Sequence, residues 1–86
     1  MGVRLEVPPV LQRITDNQTD VEVQGRTVRE CLNDLIRQYP GSKEWFDENS
    51  PIAWVILNQN LVSLADMDEQ VREGDRLGLI LLIGGG

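Results

Sequence analysis

An α+β fold is predicted, with a mixed sheet of about five strands and one main helix packed on one face. Three observations carry this expectation. Residues 27–39 hold an amphipathic helical pattern with its own start and stop signals. Two short segments with strand-like alternation precede it. Three extended segments follow, the last of them strongly apolar. A chain of 86 residues fits one domain. A domain of this size buries only about 60–65% of its unfolded surface, enough for one modest core but not for a deep cleft beside it.

Val3-Arg4-Leu5-Glu6-Val7 alternates apolar and polar, the period of a half-buried strand. Pro8-Pro9 stops it, because proline cannot donate to a sheet ladder. Residues 10–14 read as irregular, and Thr15 to Asp20 as polar turn chemistry. Val21-Glu22-Val23 alternates again and Gly25 ends it, so the first two strands form a hairpin with a long loop.

Thr27 and Glu30 have the spacing of a capping box, in which each end supplies a partner for an orphan backbone N–H. Val28, Cys31, Leu32, Leu35, Ile36 and Tyr39 follow at intervals of three and four, forming one apolar stripe. Pro40-Gly41 ends the helix. Ser42 is placed to cap a short helical turn that packs Trp45 and Phe46 beneath the helix end.

After the break at Asn49-Ser50-Pro51, Trp54-Val55-Ile56-Leu57 reads as a buried strand. Asn58-Gln59-Asn60 turns the chain and Leu61-Val62 pairs back. Residues 63–73 are acidic and loop-like. Gly74-Asp75 turns into the last strand, Arg76 to Ile83. The expected division is one domain over residues 1–83 and a flexible glycine tail over 84–86.

Composition excludes several kinds of chemistry. There is no histidine and one cysteine, so a zinc site or a Ser-His-Asp arrangement has no parts. No metal site is expected. The carboxylates Asp66, Asp68, Glu69, Glu73 and Asp75 lack the spacing of a calcium loop and read as an acidic docking face or a solvated loop. Cys31 lies in the apolar stripe and reads as a core residue. The net charge of −6 argues against nucleic acid and for a partner with a positive surface. The longest apolar run is far shorter than a membrane span. A lone cysteine and no leader-like segment make the cytoplasm the expected compartment.

The last strand carries more apolar residues than one helix can cover. Alternation puts Leu77, Leu79 and Leu81 on one face, and Gly78, Ile80 and Leu82 on the other. Ile56 joins the second set from the third strand. Ile56, Ile80 and Leu82 therefore form the expected partner-docking patch, with ordinary apolar exposure as the plain alternative.

Several segments in order resemble the MoaD/ThiS family of sulfur carriers. They are Gly25-Arg26-Thr27-Val28, Leu35-Ile36-Arg37-Gln38-Tyr39-Pro40, Leu57-Asn58-Gln59-Asn60-Leu61-Val62-Ser63, Glu73-Gly74-Asp75 and Gly85-Gly86. The family's molybdopterin synthase small subunits are the best match. Three features differ from that pattern: Gly84 precedes the glycine pair, the last strand has no proline, and the opening Val7-Pro8-Pro9-Val10-Leu11 lacks the aromatic usual in those subunits and looks closer to carriers that serve other acceptors, including cysteine biosynthesis. The resemblance implies the ubiquitin-like β-grasp fold and a protein that is a macromolecular substrate rather than an enzyme, with no catalytic residue of its own. It implies that the Gly86 carboxylate is adenylated by a ubiquitin-activating-type enzyme using ATP and magnesium. A sulfur donor then converts it to a thiocarboxylate. The sulfur passes to a synthase large subunit or equivalent acceptor in molybdopterin-type cofactor biosynthesis, with thiamine and cysteine pathways as alternatives. Gly84 and Gly85 would thread the partner's channel, since a tail without Cβ atoms is thin. Conjugation to other proteins through Gly86, or a plain binding module with an inert tail, remain open on the residues alone.

Overall fold

The computed structural model describes residues 2–46, 50, 52–63 and 66–81. The chain order is β1 (Val3–Glu6), β2 (Asp20–Val23), α1 (Val28–Gln38), β3 (Ile52–Leu57), β4 (Asn60–Ser63) and β5 (Arg76–Leu81). Two 3₁₀ segments, Pro9–Thr15 and Pro40–Phe46, lie in the connections. The strands form one sheet in the order β2-β1-β5-β3-β4. β1 and β5 run parallel at its centre, and the other pairings are antiparallel. The first and last strands are thus neighbours, and a mixed five-stranded sheet carries one main helix, as expected from the sequence.

The core lies between α1 and one face of the sheet. Val3 and Leu5 of β1, Val21 and Val23 of β2, Val55 and Leu57 of β3, and Leu77 and Leu79 of β5 point inward. They meet Val28, Cys31, Leu32 and Leu35 of α1, with Trp45 closing the layer from the second 3₁₀ segment. Each fully buried aliphatic side chain contributes roughly 1.5–3 kcal/mol of transfer free energy. The expected stripe of α1 is therefore the buried one, with Ile36 and Tyr39 half-buried at its margin. Cys31 is completely buried, and its thiol is pushed up to about 11, first by that burial and then by nearby Asp34 and Glu30. It is a core residue whose raised pKa disfavours the thiolate at neutral pH.

The helix start is built from three directions. Thr27 Oγ1 accepts from the Glu30 N–H at 3.2 Å. Glu30 reaches back one residue further than a capping box requires, accepting from the Arg26 N–H at 3.0 Å. The orphan N–H groups of Val28 and Arg29 donate to the carbonyls of Glu69 and Met67. The acidic stretch after β4 is thus a backbone cap on α1 as well as a charged surface. Its connection to the sheet passes through Gly74, whose φ of +88° is a conformation glycine favours. Gly25 serves a different need: a Cβ there would lie 2.7 Å from both the Cys31 nitrogen and the Glu30 Cβ.

Two connections differ from the sequence reading. Residues 9–15 are a 3₁₀ segment rather than irregular chain. Proline at its first position has the right φ, and the last turn is satisfied by Thr15, whose hydroxyl is shared between the Gln12 and Gln18 carbonyls at 3.1 Å each. Ser42 sits inside the second segment rather than capping it. Its hydroxyl is buried and donates to the Tyr39 carbonyl at 2.7 Å, sealing the end of α1.

Asp34 is the one carboxylate in the buried part of α1 among the described residues. It accepts from the Gln24 N–H at 3.0 Å, from the Gln38 amide at 2.9 Å and from Arg37. Burial pushes its pKa up, but the three sets of donors outweigh that, so it lies below its ordinary value of 3.8. A carboxyl with a lowered native pKa stabilises the fold above its unfolded pKa, and the stabilisation is lost as pH falls through the native value. Asp34→Asn should therefore be less stable than wild type at neutral pH, with the gap narrowing below about pH 4. Urea unfolding at a series of pH values checks this; a gap independent of pH would assign Asp34 no electrostatic part.

Candidate functional site

The face of the sheet turned away from α1 divides into two halves. On β2 and β1 it presents Glu22, Arg4 and Glu6, all exposed, with Arg4 paired to Asp20 at 3.0 Å. On β5, β3 and β4 it presents Ile80, Trp54, Ile56 and Leu61, with Arg76 of β5 and Ser63 of β4 as polar members. Alternation along β5 leaves Gly78 and Ile80 on this face, with Leu77 and Leu79 in the core. Trp54 pairs with Ile80 and Ile56 pairs with Gly78 across the β3–β5 ladder. Ile56 also pairs with Leu61 of β4.

The result is an apolar strip made of Trp54, Ile56, Leu61 and Ile80. Trp54 is 42% exposed and Leu61 60% exposed, while Ile56 and Ile80 are half-buried by their neighbours. Two of the residues expected from the sequence, Ile56 and Ile80, are brought together here. The third, Leu82, lies outside the described residues, as do Gly84, Gly85 and Gly86. In sequence the tail follows β5, the strand that contributes Ile80 to the strip.

Trp54 corrects the reading of its strand as buried throughout. The register between β3 and β5 shifts between Ile52 and Trp54, so that one additional residue is accommodated there. A bulge of this kind reverses the alternation. Ile52 is buried as a result, and Trp54 faces out together with Ile56. Leu61 follows from the tight turn at Asn58, whose φ of +58° closes the β3–β4 hairpin and sets Leu61 opposite Ile56. Spacing by two from Ile56 was the sequence signal that would have found Trp54. Nothing short of the hairpin register identifies Leu61.

Among the described residues, no group of three or more His, Cys, Asp or Glu side chains converges as a metal site would need. No helix among them is long and apolar enough to cross a membrane. The acidic residues after β4 are partly committed to the fold. Asp68 pairs with Arg29 at 3.1 Å, and Asp75 accepts from the Arg72 N–H at 2.8 Å and from Asn58 at 3.3 Å.

A five-stranded mixed sheet with its two parallel strands at the centre, grasping one helix, defines a ubiquitin-like β-grasp protein. The family model for the ThiS family matches residues 5–86. The chain belongs to the ThiS family of ubiquitin-like sulfur carriers. No curated protein matches the sequence significantly.

Among solved structures, the chain is similar to CysO in the Amycolatopsis orientalis BexX/CysO complex, with 25% identity and a TM-score of 0.85 over 98% of this chain and 99% of that one. It is similar to small archaeal modifier protein 1 from Methanosarcina acetivorans, with 20% identity and a TM-score of 0.79 over 98% and 95% of the two chains. A Helicobacter pylori complex of subunits 1 and 2 of molybdopterin-converting factor is also similar, with 20% identity, a TM-score of 0.63 and full coverage of both chains. The last two likenesses speak to the fold.

Proposed function

We propose that this chain is a sulfur carrier working through the carboxylate of Gly86. The observation that carries the reading is the ThiS-family match, which runs through residue 86 and so takes in Gly84, Gly85 and Gly86. A carboxylate is a poor electrophile. An adenylating enzyme supplied with ATP and magnesium joins the Gly86 carboxylate to the α-phosphate and releases pyrophosphate. A sulfur donor displaces AMP, leaving a thiocarboxylate. Its sulfur is nucleophilic at neutral pH and is transferred to a small-molecule acceptor held by a synthase-type partner. The carboxylate is then restored by hydrolysis.

In this scheme the chain supplies position rather than acid–base chemistry. The strip on β3, β4 and β5 docks the partner, and the tail that follows β5 delivers Gly86 to the partner's active site. The likeness to CysO, which is found in a complex with BexX, supports a synthase-type partner for this chain too. Molybdopterin, thiamine and cysteine pathways all use an acceptor compatible with a thiocarboxylate. The cytoplasm is the proposed compartment, since it keeps the sulfur donor reduced.

Intact mass of the protein isolated from its native host tests the reading. A population in which one oxygen is replaced by one sulfur is expected. An isopeptide remnant of this tail on other proteins, with no sulfur-bearing form, would replace the carrier reading by that of a modifier.

A further inference from the structure

The outer face of the sheet has a depression at its centre, with a volume of about 590 Å³. Its floor is Gly78 with Ile56 and Leu77 beside it, and its rim is Glu6, Arg76 and the turn at 58–60. The register explains the shape. Gly78 lies opposite Ile56 on β3, and the parallel pair Leu5↔Leu77 sets Glu6 next to Gly78 on the β1 side. Arg76 and Ile80 are its neighbours along β5. Every outward position around Gly78 carries a side chain, and Gly78 carries none.

The fold does not require glycine there. A Cβ on Gly78 would meet only the Ile56 Cβ, at an ordinary 3.7 Å. Its φ lies outside the left-handed region, in contrast to Gly74. Glycine inside a strand weakens it, having no side chain to pack and the most backbone freedom to lose. A glycine that neither a turn nor a close internal contact demands often marks a place where another molecule comes close.

We propose that the depression over Gly78 is a socket for one aromatic side chain of the protein partner that docks on the Trp54–Ile56–Leu61–Ile80 strip. The inference rests on the carrier reading and adds to it the residue that sets the fit. The socket is continuous with the strip, since Ile56 belongs to both. Its chemistry selects the occupant. Ile56 and the bare backbone at Gly78 make its one apolar patch, and Asn58, Gln59 and Asn60 line one side with neutral polar groups. The rim holds one cation and one carboxylate, Arg76 and Glu6, which are only loosely paired at 3.8 Å and largely exposed. A cationic side chain would meet Arg76, and an anionic one would meet Glu6 and a chain of net charge −6. A neutral ring avoids both and lies on Ile56 and the bare backbone at Gly78. Buried aromatic anchors in such pockets are the usual centres of binding energy.

The test uses the full chain as wild type, Gly78→Ala and Gly78→Leu. Thermal melting should be unchanged or higher in both variants, because the socket has room for a Cβ and strand glycine is unfavourable. In ATP–pyrophosphate exchange by the adenylating enzyme of the same host, Gly78→Leu should raise the KM for the carrier by about tenfold or more, with kcat close to wild type. Gly78→Ala should raise it severalfold. In a ¹H–¹⁵N titration, indole should shift the amides of Gly78 and Ile56 in the wild type and not in Gly78→Leu, and cyclohexanol should do so far less. Wild-type KM for Gly78→Leu, or equal shifts from indole and cyclohexanol, would overturn the socket. If Gly78→Leu fails to fold, an unchanged KM for Gly78→Ala overturns it equally. If the wild type itself supports no exchange, the carrier reading fails, and the indole titration still decides the socket.

Discussion

Deleting Gly86, or adding one alanine after it, should reduce adenylation of this chain to background while its melting temperature stays at the wild-type value. Deletion leaves a carboxylate on Gly85, so the functional group survives but is retracted by one residue, about 3.3–3.6 Å along an extended chain. Extension pushes it forward by the same amount. Attack on a phosphate requires reacting atoms held about 3–3.5 Å apart and aligned, and misplacement by even 1 Å can cost a hundredfold. A displacement of a full residue therefore removes the reaction. The fold is expected to be indifferent because the core among the described residues is built without Gly86, with Leu79 and the partly buried Leu81 as its last contributors along β5. ATP–pyrophosphate exchange measures the first effect, and thermal denaturation the second. Exchange at the wild-type rate from either variant would show that Gly86 is not the activated group.

The helix and the sheet faces were the parts most legible in the sequence, for a physical reason. Burial imposes a period, 3.6 on α1 and 2 on the strands, and the period is written in residue type. Val28, Cys31, Leu32 and Leu35 are all buried as their spacing requires, and Leu77 and Leu79 separate from Gly78 and Ile80. What period cannot reveal is a register shift. The extra residue between Ile52 and Trp54 reverses the strand's facing, and no residue type there announces a bulge.

Nor does period show where a loop's backbone goes. Residues 63–73 read as an acidic docking face or a solvated loop, and nothing in their residue types tells that the Glu69 and Met67 carbonyls accept from the Val28 and Arg29 N–H groups. The candidate site was legible in proportion to its reliance on alternation. Ile56 and Ile80 were within reach, whereas Leu61 depended on the hairpin register and the socket on a missing side chain at Gly78. A glycine in a strand reads as a weakness until its neighbours are known.

Ile80→Asp should leave the domain folded and weaken its binding to the adenylating enzyme by more than tenfold. Ile80 is on the outer face, half-buried by Trp54 beside it rather than by the core. Its replacement removes strand propensity worth at most about 1 kcal/mol and opens no cavity. The effect on docking is larger. If a partner covers roughly 300 Å² of apolar surface on the strip, ~25 cal/mol per Å² gives about 7–8 kcal/mol before the costs of association. Micromolar binding needs about 8 kcal/mol net, so after association costs of at least about 4 kcal/mol the strip supplies part of it, and the tail and acidic surface must supply the rest. Ile80 is already half-buried, so losing its contact removes about half of the roughly 1.5–3 kcal/mol of a full burial, and an aspartate in its place must also be desolvated. Ile80 is the described strip residue nearest the tail in sequence, so if docking there delivers Gly86 to the partner, kcat should fall together with affinity. Charge substitution in the acidic stretch, such as Glu73→Gln, should instead alter mainly the association rate and its salt dependence. Circular dichroism, melting, and binding by calorimetry separate the outcomes. Unfolding by Ile80→Asp would place Ile80 in the core and invert the two faces of β5. Unchanged binding would mean that the partner recognises the tail without the strip.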